Sequence, residues 1–234
     1  MTTLSLAGVD GILFVLRWIH FLSGITWIGH LYYFNFVQGE FFKEVDANTK
    51  NIALSKLAPR ALWWFRWGAM ITFLSGVLLI TGTVHTGVPL ASSWGVLMLI
   101  GGSLGTLMWA NVWFVIWPQQ KIVIASATQV LAGGQALPDA ASAGARALVA
   151  SRTNVLFSIP MLFFMGAGRH LILSRDFGAV NYGLVGGVIG GVILLLELNA
   201  IKGKVGPMAT VKGVIHLGIV LTAVLYLLVE VTTR

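Results

Sequence analysis

No cysteine occurs anywhere in the 234 residues. That absence excludes disulfides, thiolate metal sites, iron–sulfur ligation and covalent c-type haem attachment within this sequence. Charge is scarce as well: Asp, Glu, Lys and Arg together make up 10% of the sequence, where a soluble domain carries about 25%. The apolar stretches lack a charged face, so a soluble bundle built on amphipathic stripes is excluded. Also missing are a carboxylate pair, a Ser–His–Asp set and a phosphate-binding glycine loop, which argues against hydrolases and nucleotide enzymes. The pI near 10 reflects 15 cationic against 8 acidic side chains. These cations sit in short segments between apolar runs rather than along one basic face, so no nucleic-acid partner is expected. Residues Met1 to Asp10 contain no Lys or Arg, and Arg17 and Trp18 interrupt the first apolar run. A cleavable signal peptide is therefore not expected.

What the sequence does have is apolar length. Hydrophobic residues reach 57% and the mean hydropathy is +0.87. Six runs are long enough for a hydrocarbon core of about 30 Å, which takes roughly 20 residues: 11–37, 62–84, 92–117, 153–173, 178–200 and 211–232. The fold class read from them is an all-α integral membrane protein, one domain over 1–234, with about six transmembrane helices. Ser158 and Pro160 make the fourth run the least regular. Between the runs lie a charged loop (38–61), a Gly/Pro turn (85–91) and a long Ala-rich loop (118–152). That long loop reads either as a plain linker or as two interfacial helices, Gln119 to Leu131 and Pro138 to Ala150. With the N-terminus outside, Lys43, Lys50, Lys56, Arg60, Arg66, Lys121, Arg146, Arg152, Lys202, Lys204 and Lys212 all face the cytoplasm. They are 11 of the 15 cations, an asymmetry that sets both termini outside.

The five histidines then sort by depth. His20, His85 and His170 belong to the outer half, His30 and His216 to the inner half. Imidazoles at matched depth on different helices suit axial ligation of a haem b. His20 pairs with His170 at the outer level in this reading, and His30 with His216 at the inner level, so one haem b is expected and a second is allowed. Arg17 stands three residues before His20 on one helix face, and Arg169 adjoins His170; each offers a guanidinium to a propionate or other anion. His85 reads more simply as an interfacial side chain. Gly183, Gly186, Gly187, Gly190 and Gly191 read first as a close-packing stripe, otherwise as a flat wall for a porphyrin. Trp63, Trp64, Trp67, Trp113 and Trp117 fall where interfacial aromatic belts belong. Glu197 and Lys202 are placed to form an ion pair, and Glu230 to be solvated.

Leu16-Arg17-Trp18-Ile19-His20, followed by Gly24-Ile25-Thr26-Trp27-Ile28-Gly29 and Tyr32-Tyr33-Phe34, resembles the opening of the membrane-bound urate oxidase family. Asn111 through Pro118 with Gln120-Lys121 resembles that family's third-helix ending. Gly144-Ala145-Arg146 through Asn154, then Pro160 through Met165 and His170, resembles its next helix. The first helix is also similar to those of the HemJ-type protoporphyrinogen oxidases and the CopD-type copper-resistance proteins, a wider group of haem b bundles. The resemblance implies a membrane redox fold with His20 and His170 as functional positions. It also implies electron transfer to a cytochrome c. The family's C-terminal cytochrome c domain has no counterpart in this sequence, so a separate chain is expected to supply it. Thr153 stands where the family pattern carries a histidine before Asn154.

The resulting expectation is a haem b electron-transfer module in a bacterial inner membrane, working with a cytochrome c or other membrane subunits of a larger redox complex. A urate oxidase-type oxidoreductase and a cofactor-free structural subunit are the alternatives.

Overall fold

The computed structural model describes residues 5–234; the first four residues of the N-terminal segment lie outside them. Six helices are long and apolar enough to cross a membrane: α1 Val9–Glu44, α2 Ala47–His85, α3 Ser93–Leu131, α4 Ala140–His170, α5 Tyr182–Lys202 and α6 Val211–Thr232. No strand occurs among the described residues. The chain is an all-α bundle whose even number of spans brings both termini to one end, here the terminal end. Most lysines and arginines gather at the other, the basic end.

Helices α1 to α5 outrun their apolar runs chiefly at the basic end, while α6 matches its run. The segment expected as a charged loop at 38–61 is helical except for a tight turn at Val45–Asp46. Asp46 caps α2 there, its carboxylate accepting from the backbone N–H of Asn48 and Thr49 and from the Thr49 hydroxyl. The Thr49 hydroxyl, with those N–H groups, holds the Asp46 carboxyl below its ordinary range. The Ala-rich segment resolves likewise. Gln119–Leu131 continues α3, and α4 starts at Ala140 rather than at 153, with a turn between at Gly133, whose φ of 86° favours glycine. The physical reason is that Lys, Glu, Gln and Ala extend a helix into water as readily as Leu extends it through lipid. The end of an apolar run therefore marks the membrane boundary rather than the helix boundary.

Three π-helical turns let α1, α2 and α3 stay continuous: Tyr33–Gln38, Ala53–Leu57 and Asn111–Ile116. The second and third immediately precede Pro59 and Pro118. A widened turn there relieves the clash of a proline ring with the preceding carbonyl. Pro160 sits inside α4 without ending it, as membrane helices tolerate.

α4 is the central element and the most buried of the six spans. It packs on α3, α6 and α5 and, at the basic end, on α1. α1 and α2 form a tight antiparallel pair. A Cβ at Gly68 would lie 3.0 Å from the backbone N of Trp27, so only glycine admits this approach, and the Thr72 hydroxyl donates to Ser23 Oγ at 2.9 Å across the seam. Small residues that let backbones approach and hydroxyls that bridge them drive helix association where lipid removes the hydrophobic difference. At the terminal end Arg175 pairs with Glu230, which also accepts from the Tyr226 hydroxyl at 2.8 Å. Glu230 is thus tied down rather than merely solvated.

Candidate functional site

An apolar cavity of about 700 Å³ opens beside α3, between the α1–α2 pair and the α4–α5 side. Its wall includes His20 and Trp27 from α1, Gly76 from α2, Ser103 from α3, Met161 and Met165 from α4, and Gly186 and Gly190 from α5. His20 and Tyr182 are the titratable side chains among its lining. The size falls within the roughly 300–1,000 Å³ typical of cofactor sites.

His20 is fixed in this wall by α2. Its Nδ1 lies 3.0 Å from Ser75 Oγ. The Ser75 hydroxyl donates its proton to the Ile71 carbonyl at 2.7 Å, so Ser75 accepts from Nδ1–H. This tautomer leaves the Nε2 lone pair uncommitted among the described residues, the arrangement that orients ligating histidines. A Cβ at Gly76 would come within 3.1 Å of His20 Cε1. The missing side chain there gives the imidazole its place against α2.

The opposite wall is unusual for a glycine-rich helix. Cβ atoms at Gly186, Gly187, Gly190 and Gly191 would meet nothing within 4 Å. The stripe therefore does not serve close packing inside this chain, the first reading of it; Gly186 and Gly190 instead flatten a cavity wall. Gly101 behaves in the opposite way, with Met165 and Phe164 of α4 at 3.3 Å from its Cβ position. Trp27 is 2% exposed, and its buried Nε1–H has no acceptor among the described residues.

These features fit a haem b. The volume is adequate, the walls are apolar and locally flat, and an imidazole with a free Nε2 stands in one wall. The other residues expected at the outer level lie elsewhere. Arg17 is exposed one turn from His20, while Arg169 and His170 are exposed at the end of α4; none of the three lines the cavity. At the inner level, His30 Nδ1 donates to the Thr26 carbonyl and His216 Nδ1 to the Lys212 carbonyl, each at 2.7 Å. Their helices pack on different partners, α1 mainly on α2 and α6 on α4 and α5, so the bundle does not bring these two histidines together. His85 is exposed at the end of α2.

A second polar feature, which the sequence reading left out, lies toward the basic end. The Asn111 side-chain amide donates to both Asn154 Oδ1 and Glu197 Oε2 at 3.0 Å, and Asn154 donates to the Met108 carbonyl at 2.9 Å. Tyr32 and Ser158 share a hydroxyl hydrogen bond of 2.9 Å, and Asn35 donates to Ser151 Oγ at 2.7 Å. Glu197 is thus held by Asn111, and the expected Glu197–Lys202 ion pair does not form. Sequence signals for these groups existed. The tetrapeptide Phe-Leu-Ser-Gly recurs at 21–24 and 73–76, marking the seam that carries Ser75 and Gly76. Asn35, Asn111 and Asn154 are amides inside apolar runs, where polar groups need partners.

Residues 86–177 match the family described as urate oxidase N-terminal. That stretch holds α3 and α4 with their flanking turns; α1, which carries His20, and α5 and α6 lie outside it. No curated protein and no solved structure matches the chain. Over α3 and α4 the chain is similar to the N-terminal part of urate oxidase.

Proposed function

We propose that the chain is a membrane electron-transfer module whose cavity beside α3 would hold one haem b, with His20 as the residue that would ligate it. The observation that carries this reading is an imidazole with Nδ1 committed to Ser75 and Nε2 free, set in the wall of an apolar cavity of about 700 Å³. Bound there, a haem b supplies one-electron exchange between its ferric and ferrous states. The residues do the rest. Ser75 selects the tautomer and fixes the ring, and Gly186 and Gly190 keep the far wall flat. Met161 and Met165 bring thioethers, soft donors in the same lining. The pyridine haemochrome assay on the purified chain tests this reading: one haem b per chain is expected, and none would defeat it.

The match over 86–177 favours a more specific version, an oxidoreductase of the urate oxidase type that passes electrons to a separate cytochrome c. Membranes containing the chain, supplied with a soluble cytochrome c, should then consume urate and reduce the cytochrome. Consumption no greater than in membranes without the chain would leave electron transfer alone.

A further inference from the structure

We propose that Glu197 is a proton-uptake site beneath the cavity, reached from the basic end through a buried polar column on α4. It goes beyond the haem reading and rests on that reading only for the electron that calls the proton in.

The column is Ser151, Asn154 and Ser158, successive turns of α4, each bonded to a neighbouring helix. Ser151 accepts from Asn35 and Ser158 bonds Tyr32, while Asn154 accepts from Asn111, which also holds Glu197. Asn154 and Ser158 are fully buried and Glu197 is 7% exposed. Steps between successive members are one helical turn, about 5.4 Å, a gap that a bridging water spans. The column's upper end meets the floor of the cavity on three helices at once. Ser158 precedes Met161 by one turn, Leu107 precedes Asn111, and Ile193 precedes Glu197; Met161, Leu107 and Ile193 all line the cavity. An apolar cavity toward one end of the bundle thus continues as a polar path toward the other, with a carboxyl group at the junction.

Among the described residues Glu197 has no counter-charge. The elements packed on α5 are α4, α6 and, lightly, α3. Their charged or titratable groups toward this end are Arg146 and Arg152 on α4, Lys212 and His216 on α6 and Lys121 on α3, with Lys202 on α5 itself. Among the described residues none forms an ion pair with Glu197. Arg152 is buried with Nε and Nη1 unpartnered, and Arg146, Lys121, Lys202, Lys212 and His216 are exposed. Glu197 Oε2 accepts from Asn111, while Oε1 accepts no hydrogen bond among the described residues. A buried carboxyl without a cation responds strongly to charge added nearby. An electron delivered to the cavity by an external one-electron donor draws a proton from water at the basic end. An O–H bond of hydronium at the basic end breaks and leaves water, the new O–H bond forms at Oε1, no protein bond breaks, and the added charge is neutralised within the bundle.

The test is redox-induced infrared difference spectroscopy of the haem-loaded full chain, with its midpoint potential measured against pH. On reduction the wild type should gain a carboxylic-acid carbonyl band, and its potential should fall as pH rises. In Glu197→Gln the band should vanish and the slope flatten over the same range; Glu197→Asp, which retains the carboxyl, should shift the band and keep the slope. An identical band and slope in wild type and Glu197→Gln would overturn the proposal. If Glu197→Gln does not fold, a band that Glu197→Asp leaves unmoved overturns it equally. A chain that binds no haem defeats the cavity reading instead. Infrared pH titration of the haem-free chain in phosphatidylcholine vesicles then decides Glu197. A pH-responsive carboxyl band that shifts in Glu197→Asp supports it, and a carboxyl region whose pH response is the same in wild type and Glu197→Asp overturns it.

Discussion

His20, Ser75 and Gly76 form a three-residue device: one residue presents a ring nitrogen, one holds its orientation, and one makes room. Each can be tested separately. Ser75→Ala removes the acceptor for Nδ1–H and should weaken haem retention about 10–100-fold, the usual cost of losing a ligand's outer partner, while the ligation type stays the same. Gly76→Leu should act differently. Its Cβ would press on Cε1 of His20, and the displaced ring should give a spectrum shifted toward a weaker axial ligand. Circular dichroism on both variants checks that the helices remain. A Gly76→Leu spectrum identical to wild type would show that His20 does not depend on this gap.

At the scale of elements, α5 and the turn between α1 and α2 make distinct predictions. Gly190→Leu puts a side chain where the structure shows open space and raises helix propensity by about 0.8–1 kcal/mol. It should leave the fold intact, or slightly more stable, and exclude haem by filling the cavity. Haem content and thermal unfolding of the same preparation check both halves. The Asp46 cap is pH-sensitive. Its carboxyl is held below its ordinary range in the folded protein by Thr49, so its contribution is present above the ordinary carboxylate range and lost as pH falls through the depressed value. Protection factors at residues 47–50, which divide out the intrinsic pH dependence of amide exchange, should fall on acidification in the wild type and stay low at all pH values in Asp46→Ala. These elements also show what could be read in advance. Six apolar runs announced six spans because lipid demands about 20 apolar residues of each. The helical reach of 38–61 and 118–152 was hidden, because water-side helix carries no hydropathy signal. His20 stood out as an imidazole in an apolar run. Ser75 and Gly76 were ordinary small residues until α2 was laid antiparallel to α1, and the pairing of His20 with His170 rested on shared depth, a neighbouring arginine and the resemblance, none of which gives lateral distance.

The whole molecule is a bundle divided along its length, with an apolar cavity in one part and a buried polar column toward the basic end. Its orientation follows from the cations, 11 of 15 at the basic end. Cysteines introduced at Asn48 and at Arg234, in a chain with none of its own, should react with an impermeant thiol reagent from opposite faces of the membrane. Equal labelling of both from one face would reverse that division. The central claim is that His20 ligates a haem b in this cavity. The reduced-minus-oxidised absorbance spectrum of wild type beside His20→Ala tests it most directly. The account predicts a haem b α-band in the wild type and its loss, or a shift to a five-coordinate form, in His20→Ala; the same band with the same haem content in both would contradict it.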